Sequence, residues 1–379
     1  MFGFEVKIDA SWLVLAFIII WSLAAGYFPS DYPGFSRSQY WLMGFLGAIG
    51  LFISIIIHEF CHSLVARKRG MKIGGITLFI FGGVSELEDQ PESPKTEFLM
   101  AAAGPLASLL LSLIFYVLYQ SFETLSPYSF TGIIFKYLAT INLFLAIFNC
   151  LPGFPLDGGR MLRSILWARK KDILSATQTA ARIGSMIGFI LIVLGIFHLF
   201  TLHFVTGFWW IFMGLFLRGI ALQSWADVLI RSALRDVPLE KFLDTTSQVL
   251  NPNSKLEEVL EERFYHHLTG VFPVVENGVL IGCLDSDTLL HLGPNERMSS
   301  TVREIMKDCA DDQIVDIRES SLSVFSKLRR RSPSHVIVTD GLEFKGIVYL
   351  DSLIRYALLH ARPDFQFPPE FYKMYHRPA

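Results

Sequence analysis

Charge is scarce in this chain of 379 residues: only 18% of them are Asp, Glu, Lys or Arg, whereas 52% are hydrophobic. A soluble protein of this length would usually carry more charge and less apolar bulk, so the composition excludes an ordinary soluble protein. The formal net charge of -2 is uninformative, and nothing in the sequence points to a nucleic-acid partner. The apolar excess lies before Trp225, and the remainder has the composition of a soluble domain.

Cysteine is also scarce, and the four cysteines show no paired spacing. This absence argues against a disulfide framework, so we expect reduced thiols in or facing the cytoplasm. The first ten residues lack a basic n-region and a small-residue cleavage site, which predicts a retained membrane anchor rather than a signal peptide. The four cysteines are Cys61, Cys150, Cys283 and Cys309.

Six apolar segments are long enough to cross a membrane, which takes about 20 residues as a helix. The fifth and sixth are separated by only a few residues, so they predict a tight helical hairpin. Buried core helices can mimic such segments, but six of them with a consistent charge alternation argue for a multi-pass membrane protein. The segments are 11–28, 41–66, 98–119, 133–151, 183–200 and 204–225.

The connections between these segments differ in their content of Lys and Arg. The connections after the second and fourth segments are rich in both, whereas the opposite side carries Arg37 and almost nothing else. Because basic connections stay in the cytoplasm, this pattern places both chain termini there. We expect a multi-pass protein of a prokaryotic plasma membrane.

The pentapeptide His58-Glu59-Phe60-Cys61-His62 lies near the end of the second segment. On a helix, this spacing puts two imidazoles on one face, one turn apart, with a carboxylate beside them. That arrangement is typical of a zinc site with Glu59 as general base. Ionisable residues are costly inside an apolar segment, which favours a functional interpretation. Cys61 lies off the imidazole face and is interpreted as a small buried thiol.

Catalytic zinc sites take three ligands from the protein, and the best third ligand here is Asp157. It belongs to the stretch Asn149–Arg160, which ends the fourth segment on the same predicted side of the membrane. Prolines stop the preceding helix and Gly158-Gly159 permits a tight turn, so the carboxylate is expected to project from irregular backbone. The alternative is that Asp157 caps the next helix.

Zinc lowers the pKa of its bound water to about 7, so water becomes a nucleophile near neutral pH. Glu59 would accept the proton from that water and later deliver it to the leaving amine. The Asn149 amide is placed to stabilise the oxyanion.

The two motifs, in this order, resemble the site-2 protease family of intramembrane zinc metalloproteases. The resemblance covers roughly residues 41–160. The small-residue stretch Ala103-Gly104-Pro105 also resembles one where family members pack helices closely. The resemblance to this family implies five functional residues: His58, His62 and Asp157 as zinc ligands, Glu59 as catalytic base, and Asn149 for transition-state stabilisation.

The stretch Gly74–Ser85 between the second and third segments is β-branched and aromatic, and it is too short to span a membrane as a helix. It predicts a strand or a re-entrant hairpin. A substrate unwound from its own helix could pair with such a strand, and similar loops serve this purpose in the resembled family. The alternative is a membrane-surface hairpin that only packs. The candidate substrate-binding residues are Phe79, Phe81, Gly82 and Gly83.

An internal repeat follows the last apolar segment, and its two units place Gly282 and Gly346 at equivalent positions. Asn277-Gly278 predicts a hairpin turn between alternating strands. The repeat resembles a pair of CBS modules. We predict a six-span metalloprotease domain at 1–225, a linker at 226–238, a tandem CBS domain at 239–360 (about 239–296 and 299–360) and a tail at 361–379.

CBS pairs often bind adenine nucleotides, but this chain departs from the binding pattern. Asp285 and Tyr349 stand where Ser or Thr is usual, and Thr288 and Ser352 stand where an Asp usually grips the ribose. Binding of ATP or another adenine nucleotide therefore remains one alternative. The other is a dimerisation or docking module that would make the protein a homo-oligomer.

The leading hypothesis is a multi-pass α-helical membrane protein of six transmembrane helices, with a short re-entrant β-hairpin and a cytoplasmic α/β CBS-pair domain. It would be a zinc endopeptidase that cleaves a single-span membrane protein near its cytoplasmic end. The CBS pair would tune activity or position the substrate. The alternatives are a CBS-regulated transporter or channel and a catalytically silent scaffold.

Overall fold

The structure, a computed structural model, describes residues 6–71, 73–79, 82–87, 91–201, 204–245, 249–259, 271–293, 299–329 and 335–361. The chain divides into two compact units, Met1–Trp225 and Ala226–Ala379. Phe81 and the predicted tail from Arg362 lie outside the described residues.

The first unit is built from long helices, and a π-helical turn at Leu23–Tyr27 joins the first two. Six helical stretches are long and apolar enough to cross a membrane, as predicted. Several extend past the predicted segment ends because flanking polar residues continue the helix. The helices are α1 (Ala10–Ser22), α2 (Phe28–Asp31), α3 (Arg37–Lys68), α4 (Pro94–Leu125), α5 (Phe130–Asn149), α6 (Asp157–Lys170), α7 (Ile173–Phe200) and α8 (Phe204–Leu234).

Serine side chains begin three of these helices. Ser36 accepts a hydrogen bond from the backbone N–H of Gln39 at the start of α3, and the Gln39 side chain accepts from the Ser36 N–H in return. Ser93 and Ser129 cap α4 and α5 in the same way, without the reciprocal bond. Caps of this kind satisfy N–H groups that lack a partner in the first turn, and they fix where each helix starts.

Helix α4 lies at the centre of the first unit, where it packs against α3, α5 and α6. The neighbouring helices α7 and α8 approach closely at facing glycines. A Cβ added to Gly188 would lie 2.6 Å from the Gly214 carbonyl oxygen, and one added to Gly195 would lie 2.7 Å from that of Gly207. This contact confirms the predicted tight hairpin of the fifth and sixth segments.

A small three-stranded sheet accompanies the helices of the first unit. Strand β2 (Ile73–Phe79) runs antiparallel to β3 (Gly82–Leu87), so this stretch forms strands, as predicted, and its re-entrant position in the membrane stays a prediction. The first strand, β1 (Val6–Ile8), pairs parallel with β2 and was not predicted from the sequence. The strand order β1-β2-β3 leaves β3 at an edge of the sheet among the described residues.

The second unit contains a five-stranded sheet in which the two predicted repeats contribute two antiparallel strand pairs, β4-β5 and β7-β8. Asn277 and Gly278 adopt φ angles of 50° and 82°, which confirms the predicted hairpin turn. The order is β4-β5-β8-β7-β6. The elements are α9 (Leu256–Val259), β4 (Val271–Glu276), β5 (Val279–Asp285), α10 (Ser286–His291), α11 (Val302–Ile305), β6 (Ile314–Asp316), α12 (Ser321–Arg329), β7 (His335–Asp340), β8 (Glu343–Tyr349) and α13 (Leu350–His360).

Helix α8 continues to Leu234, so the first part of the predicted linker 226–238 is helical. The expectation of reduced thiols is wrong for the second unit, because Cys283 and Cys309 form a disulfide, whereas Cys61 and Cys150 are free thiols.

The disulfide could not be read from cysteine spacing, because backbone pairing brings its two halves together. The Cys283 N–H donates to the Lys307 carbonyl over 2.8 Å, and the Lys307 N–H donates back over 2.9 Å. Cys309 therefore lies beside β5 although it is 26 positions away in sequence.

Candidate metal centre

Three side chains from two distant parts of the chain converge inside the first unit. His58 and His62 are buried on α3, and their Nε2 atoms lie 3.2 Å apart. Asp157 Oδ2, from the first residue of α6, lies 3.2 Å from each of these nitrogens. The ligand atoms of all three residues lie within 4.8 Å of one another. The structure thus brings the three predicted ligands together.

The other ring nitrogen of each imidazole, Nδ1, contacts a residue of helix α4. His62 Nδ1 donates to the Met100 carbonyl oxygen over 2.6 Å, and His58 Nδ1 lies 2.8 Å from Ser108 Oγ. A hydrogen bond at one ring nitrogen fixes the orientation of the ring and the tautomer, and it leaves the other nitrogen available as a ligand. Both Nε2 atoms accordingly face Asp157.

Asp157 is the first residue of α6, and its carboxylate faces the histidines rather than capping the helix. The N-cap position belongs to Leu156, which makes no side-chain capping bond. Burial raises the pKa of Asp157, but hydrogen bonding to His58 and His62 outweighs burial and holds that pKa well below its usual range. The carboxylate is therefore ionised and able to serve as a ligand.

The glycines after Asp157 have a different purpose from the one predicted. Gly158 and Gly159 are helical, so they do not form a turn. A Cβ on Gly158 would lie 2.3 Å from the Cys150 carbonyl oxygen, and one on Gly159 would lie 2.3 Å from the carbonyl carbon of Gly153. They let the start of α6 pack directly against the backbone of the preceding loop.

Gly104 leaves open the space that an ion at this cluster requires. A Cβ at this position of α4 would lie 2.2 Å from His62 Nε2 and 2.6 Å from His58 Nε2. The sequence reading attributed the small-residue stretch around Gly104 to helix packing, whereas its closest neighbours are the two imidazoles. Two imidazoles and one carboxylate form a donor set typical of catalytic zinc sites, so these residues fit a zinc ion.

The predicted base follows His58 directly on α3, and the predicted oxyanion donor precedes Asp157 by eight positions. Glu59 is half-buried and interacts electrostatically with His62 and with Arg160 of α6. Asn149 is the last residue of α5, and its amide nitrogen donates to the Leu145 carbonyl oxygen over 3.0 Å. The amide thus serves its own helix here, and its role toward an oxyanion stays a prediction.

Three of the four predicted substrate-binding residues, Phe79, Gly82 and Gly83, belong to strands β2 and β3. Phe79 pairs with Gly82, and Leu78 pairs with Gly83. Both strands contact α3, the helix that carries the two histidines. Substrate binding by these residues stays a prediction.

Sequence reasoning missed the contribution of α4 to this centre. Met100, Gly104 and Ser108 recur at spacings of four residues, which places them on one face of the helix. Glu97, one turn earlier, accepts a hydrogen bond over 2.6 Å from Nε of Arg163 in α6. The available signal was an acidic residue next to the third apolar segment and a serine within it, where polar groups need partners.

Membrane-length helices that enclose two imidazoles, a carboxylate and a neighbouring glutamate define the class of intramembrane zinc proteases. The model of peptidase family M50 matches residues 46–130 and 128–195, and the CBS domain model matches residues 235–294. The zinc metalloprotease candidate Rip3 of Mycobacterium tuberculosis is 30% identical over 374 residues, which cover 97% of this chain and 95% of Rip3.

Two further matches come from Methanocaldococcus jannaschii. Zinc metalloprotease MJ0392 is 30% identical over 322 residues, which cover 84% of this chain and 86% of MJ0392. The solved structure of a site-2 protease is 29% identical and covers 59% of this chain and 92% of that chain, with a TM-score of 0.42. The chain belongs to peptidase family M50, the site-2 protease family. It is a multi-pass zinc metalloprotease with a C-terminal CBS domain.

Proposed function

We propose that this protease hydrolyses a peptide bond of a single-span membrane protein near its cytoplasmic end, using zinc held by His58, His62 and Asp157. The observation that carries the proposal is the convergence of these three ligand atoms within 4.8 Å in a bundle of membrane-length helices. Membership of a peptidase family favours hydrolysis over the alternative of a transporter or channel.

The protein's own groups divide the chemistry among them. A zinc ion bound here would supply Lewis acidity that favours deprotonation of water and polarises the scissile carbonyl. Glu59 accepts the proton of the attacking water and passes it to the amine nitrogen as the carbon–nitrogen bond breaks. The Asn149 amide donates to the developing oxyanion after it leaves the Leu145 carbonyl. The products are a carboxylate and an amine.

The substrate is proposed to bind in extended form along the edge strand β3. A transmembrane helix hides its peptide bonds within its own hydrogen-bonding pattern, so the bond to be cut must first be unwound. An unwound segment can pair with a sheet edge by strand addition. The glycines Gly82 and Gly83 would allow close approach of the substrate backbone.

The base assignment is tested by Glu59→Gln in the full-length protein reconstituted in lipid vesicles. The variant should bind zinc in the same amount as the wild-type protein and should trap a single-span protein that only the wild type cleaves. Asp157→Asn should lose zinc. Glu123→Gln, which removes a carboxylate at the far end of α4, is the matched control and should remain active. Full cleavage by Glu59→Gln would contradict the proposal.

We further propose that the CBS pair lies in the cytoplasm of a prokaryotic cell and regulates cleavage, through ATP or another adenine nucleotide or through homo-oligomer formation. Two residues at positions where CBS pairs usually contact a nucleotide make hydrogen bonds within the domain: Asp285 accepts from the Thr288 N–H, and Thr288 Oγ1 accepts from Lys307 Nζ over 3.0 Å. Titration with ATP, with the oligomeric state measured by light scattering, separates the two modes. If the protein neither binds ATP nor associates, both proposed modes of regulation are contradicted.

The orientation has its own test in Cys150, an exposed free thiol at the end of α5. A membrane-impermeant maleimide should label Cys150 in inverted plasma-membrane vesicles and should not label it in intact cells. Cys150→Ser is the control for labelling at other thiols. Labelling in intact cells would reverse the proposed topology.

A further inference from the structure

Glu97 of α4 and Arg163 of α6 form a buried ion pair outside the set of proposed ligands and catalytic groups. Glu97 is 0% exposed and Arg163 is 7% exposed. Arg163 Nε donates to Glu97 Oε1 over 2.6 Å, and Arg163 Nη2 contacts the same oxygen. Glu97 Oε2 has no hydrogen-bond partner among the described residues, so Arg163 supplies the neutralising contact on this carboxylate.

The ion pair joins α6, which starts with Asp157, to α4, whose residues contact the rings of both histidines. Glu97 shares one face of α4 with Met100 and Ser108, which contact His62 and His58. Residues of α4 contact both histidines directly, whereas the ion pair connects α4 to Asp157 through α6.

Arg163 also ties α6 to the loop that precedes Asp157. Its guanidinium lies over the Phe154 ring, 5.0 Å from the ring centroid. The Phe154 N–H in turn donates to the Ala180 carbonyl of α7 over 3.2 Å. One buried arginine therefore links α4, the loop and the helix that begins with Asp157.

Such a pair is a poor choice for stability alone. Removing two charges from water is costly, and well-packed apolar residues of similar volume often stabilise a protein as well or better. An ion pair adds a fixed geometry, because the planar guanidinium donates hydrogen bonds to a carboxylate only in certain orientations. Metal sites require such geometry, since ligand distances tolerate only about 0.2 Å of error.

We propose that Glu97 and Arg163 are positioning residues for the ligand Asp157: they set the rotation and depth of α6 so that this carboxylate reaches the histidine pair. The inference rests on the proposed metal site. It assigns to α4 the alignment of all three ligands, two by direct hydrogen bonds and the third by the ion pair.

The experiment uses full-length protein in detergent, loaded with Co²⁺ as a spectroscopic probe for zinc. Arg163→Ala and Glu97→Gln should each bind Co²⁺ about 10- to 100-fold more weakly, the loss typical of changes in the groups that orient metal ligands, because α6 would no longer hold Asp157 in place. Both should also change the visible absorption of the bound ion, which reports its coordination geometry. The matched control is Arg169→Ala, an exposed arginine of the same helix, with wild-type affinity and spectrum expected.

A purely structural role would lower the melting temperature and leave the spectrum and affinity of the folded fraction unchanged. Wild-type Co²⁺ binding by folded Arg163→Ala and Glu97→Gln would therefore overturn the inference. If Arg163→Ala does not fold, Arg163→Lys, which keeps the charge but not the planar fork, replaces it and should show the altered spectrum. The exchange Glu97→Arg with Arg163→Glu should recover part of the affinity. A wild-type protein that binds no Co²⁺ would overturn the metal site itself.

Discussion

The first unit exposes large apolar side chains along its helices, whereas the second unit encloses them around its sheet. Among the described residues of the second unit, only Val279, Leu342 and Leu359 are large apolar side chains that are exposed. Buried polar side chains follow the opposite pattern, because most of them, including charged, imidazole and amide groups, lie in the first unit. That interior set includes His58, His62, Glu97, Asn142 and Arg163.

Because of this difference, the buried residues of the first unit serve the metal site, whereas those of the second unit stabilise the fold. In the first unit, apolar helices surround a polar interior, and each buried polar group costs free energy unless it has a partner. In the second unit, an apolar core carries the fold, as in clusters such as Val274 with Leu256 and Leu284. We therefore expect single substitutions inside the first unit to change metal binding, and those inside the second unit to change stability.

The largest effect is expected from Gly104→Ala. The added methyl group would lie 2.2 Å from His62 Nε2, so an imidazole must move out of the position that a ligand requires. Zinc binding should be abolished, as measured by the metal content of the purified protein. Gly219→Ala in α8 is the matched control, since a Cβ there meets nothing within 4 Å. Equal zinc in the two variants would show that the space beside Gly104 does not belong to the metal site.

The second largest effect concerns the Cys283–Cys309 disulfide of the second unit. Removing a cross-link that closes a loop of 26 positions should lower the free energy of unfolding by about 3 kcal/mol. Cys309→Ser should therefore speed hydrogen exchange of the β4 and β5 amides in the full-length protein. Zinc content should not change. A loss of zinc in this variant would contradict the separation of the two units, and Cys61→Ser controls for loss of a free thiol.

A smaller effect is expected from Ser108→Ala, which removes the group beside His58 Nδ1. Zinc affinity should fall about tenfold, or about 1.4 kcal/mol, because the imidazole loses the contact that orients it. Ser112→Ala is the matched control on the next turn of α4, where the hydroxyl donates to the Ala139 carbonyl over 2.7 Å. Competition with a zinc chelator measures both. A drop in affinity for Ser112→Ala alone would reverse the assignment.

The sequence indicates those parts of the molecule that depend on neighbours along the chain. His58 and His62 are one turn apart on any helix, and Asn277-Gly278 makes its turn without help from the rest of the fold. Asp157 was also predicted, because its motif and the membrane topology place it at the depth of the histidines. Its helical backbone was not, since Gly158 and Gly159 reveal their packing role only against the folded loop.

The parts that sequence reasoning missed depend on contacts between distant elements. Arg163 meets Glu97 across 66 positions, and Cys309 meets Cys283 through backbone pairing of Lys307. No local pattern marks either partner. The continuation of α8 to Leu234 was missed for a related reason, because charged residues end an apolar segment without ending a helix.

The smallest expected effect concerns the second unit, where the imidazole of His335 is buried at the start of strand β7, next to the apolar residues Val336 and Ile337. Burial lowers the pKa of His335, and a hydrogen bond involving the Val271 backbone offsets this only in part. Because the unfolded state then binds more protons, the contribution of His335 is fully present above the unfolded pKa of 6.5 and declines as pH falls below it. The loss is at most about 0.8 kcal/mol between about pH 7.5 and pH 6.

His335→Asn should remove this part of the pH dependence, and His360→Asn, at an exposed position of α13, should retain it. Hydrogen exchange of the β7 amides in the full-length protein, at the two pH values, measures the difference. Because the proposed metal ligands all belong to the first unit, zinc content at pH 7.5 should be the same in both variants. A pH dependence that is unchanged in His335→Asn would assign the acid sensitivity of the second unit to its carboxylates instead.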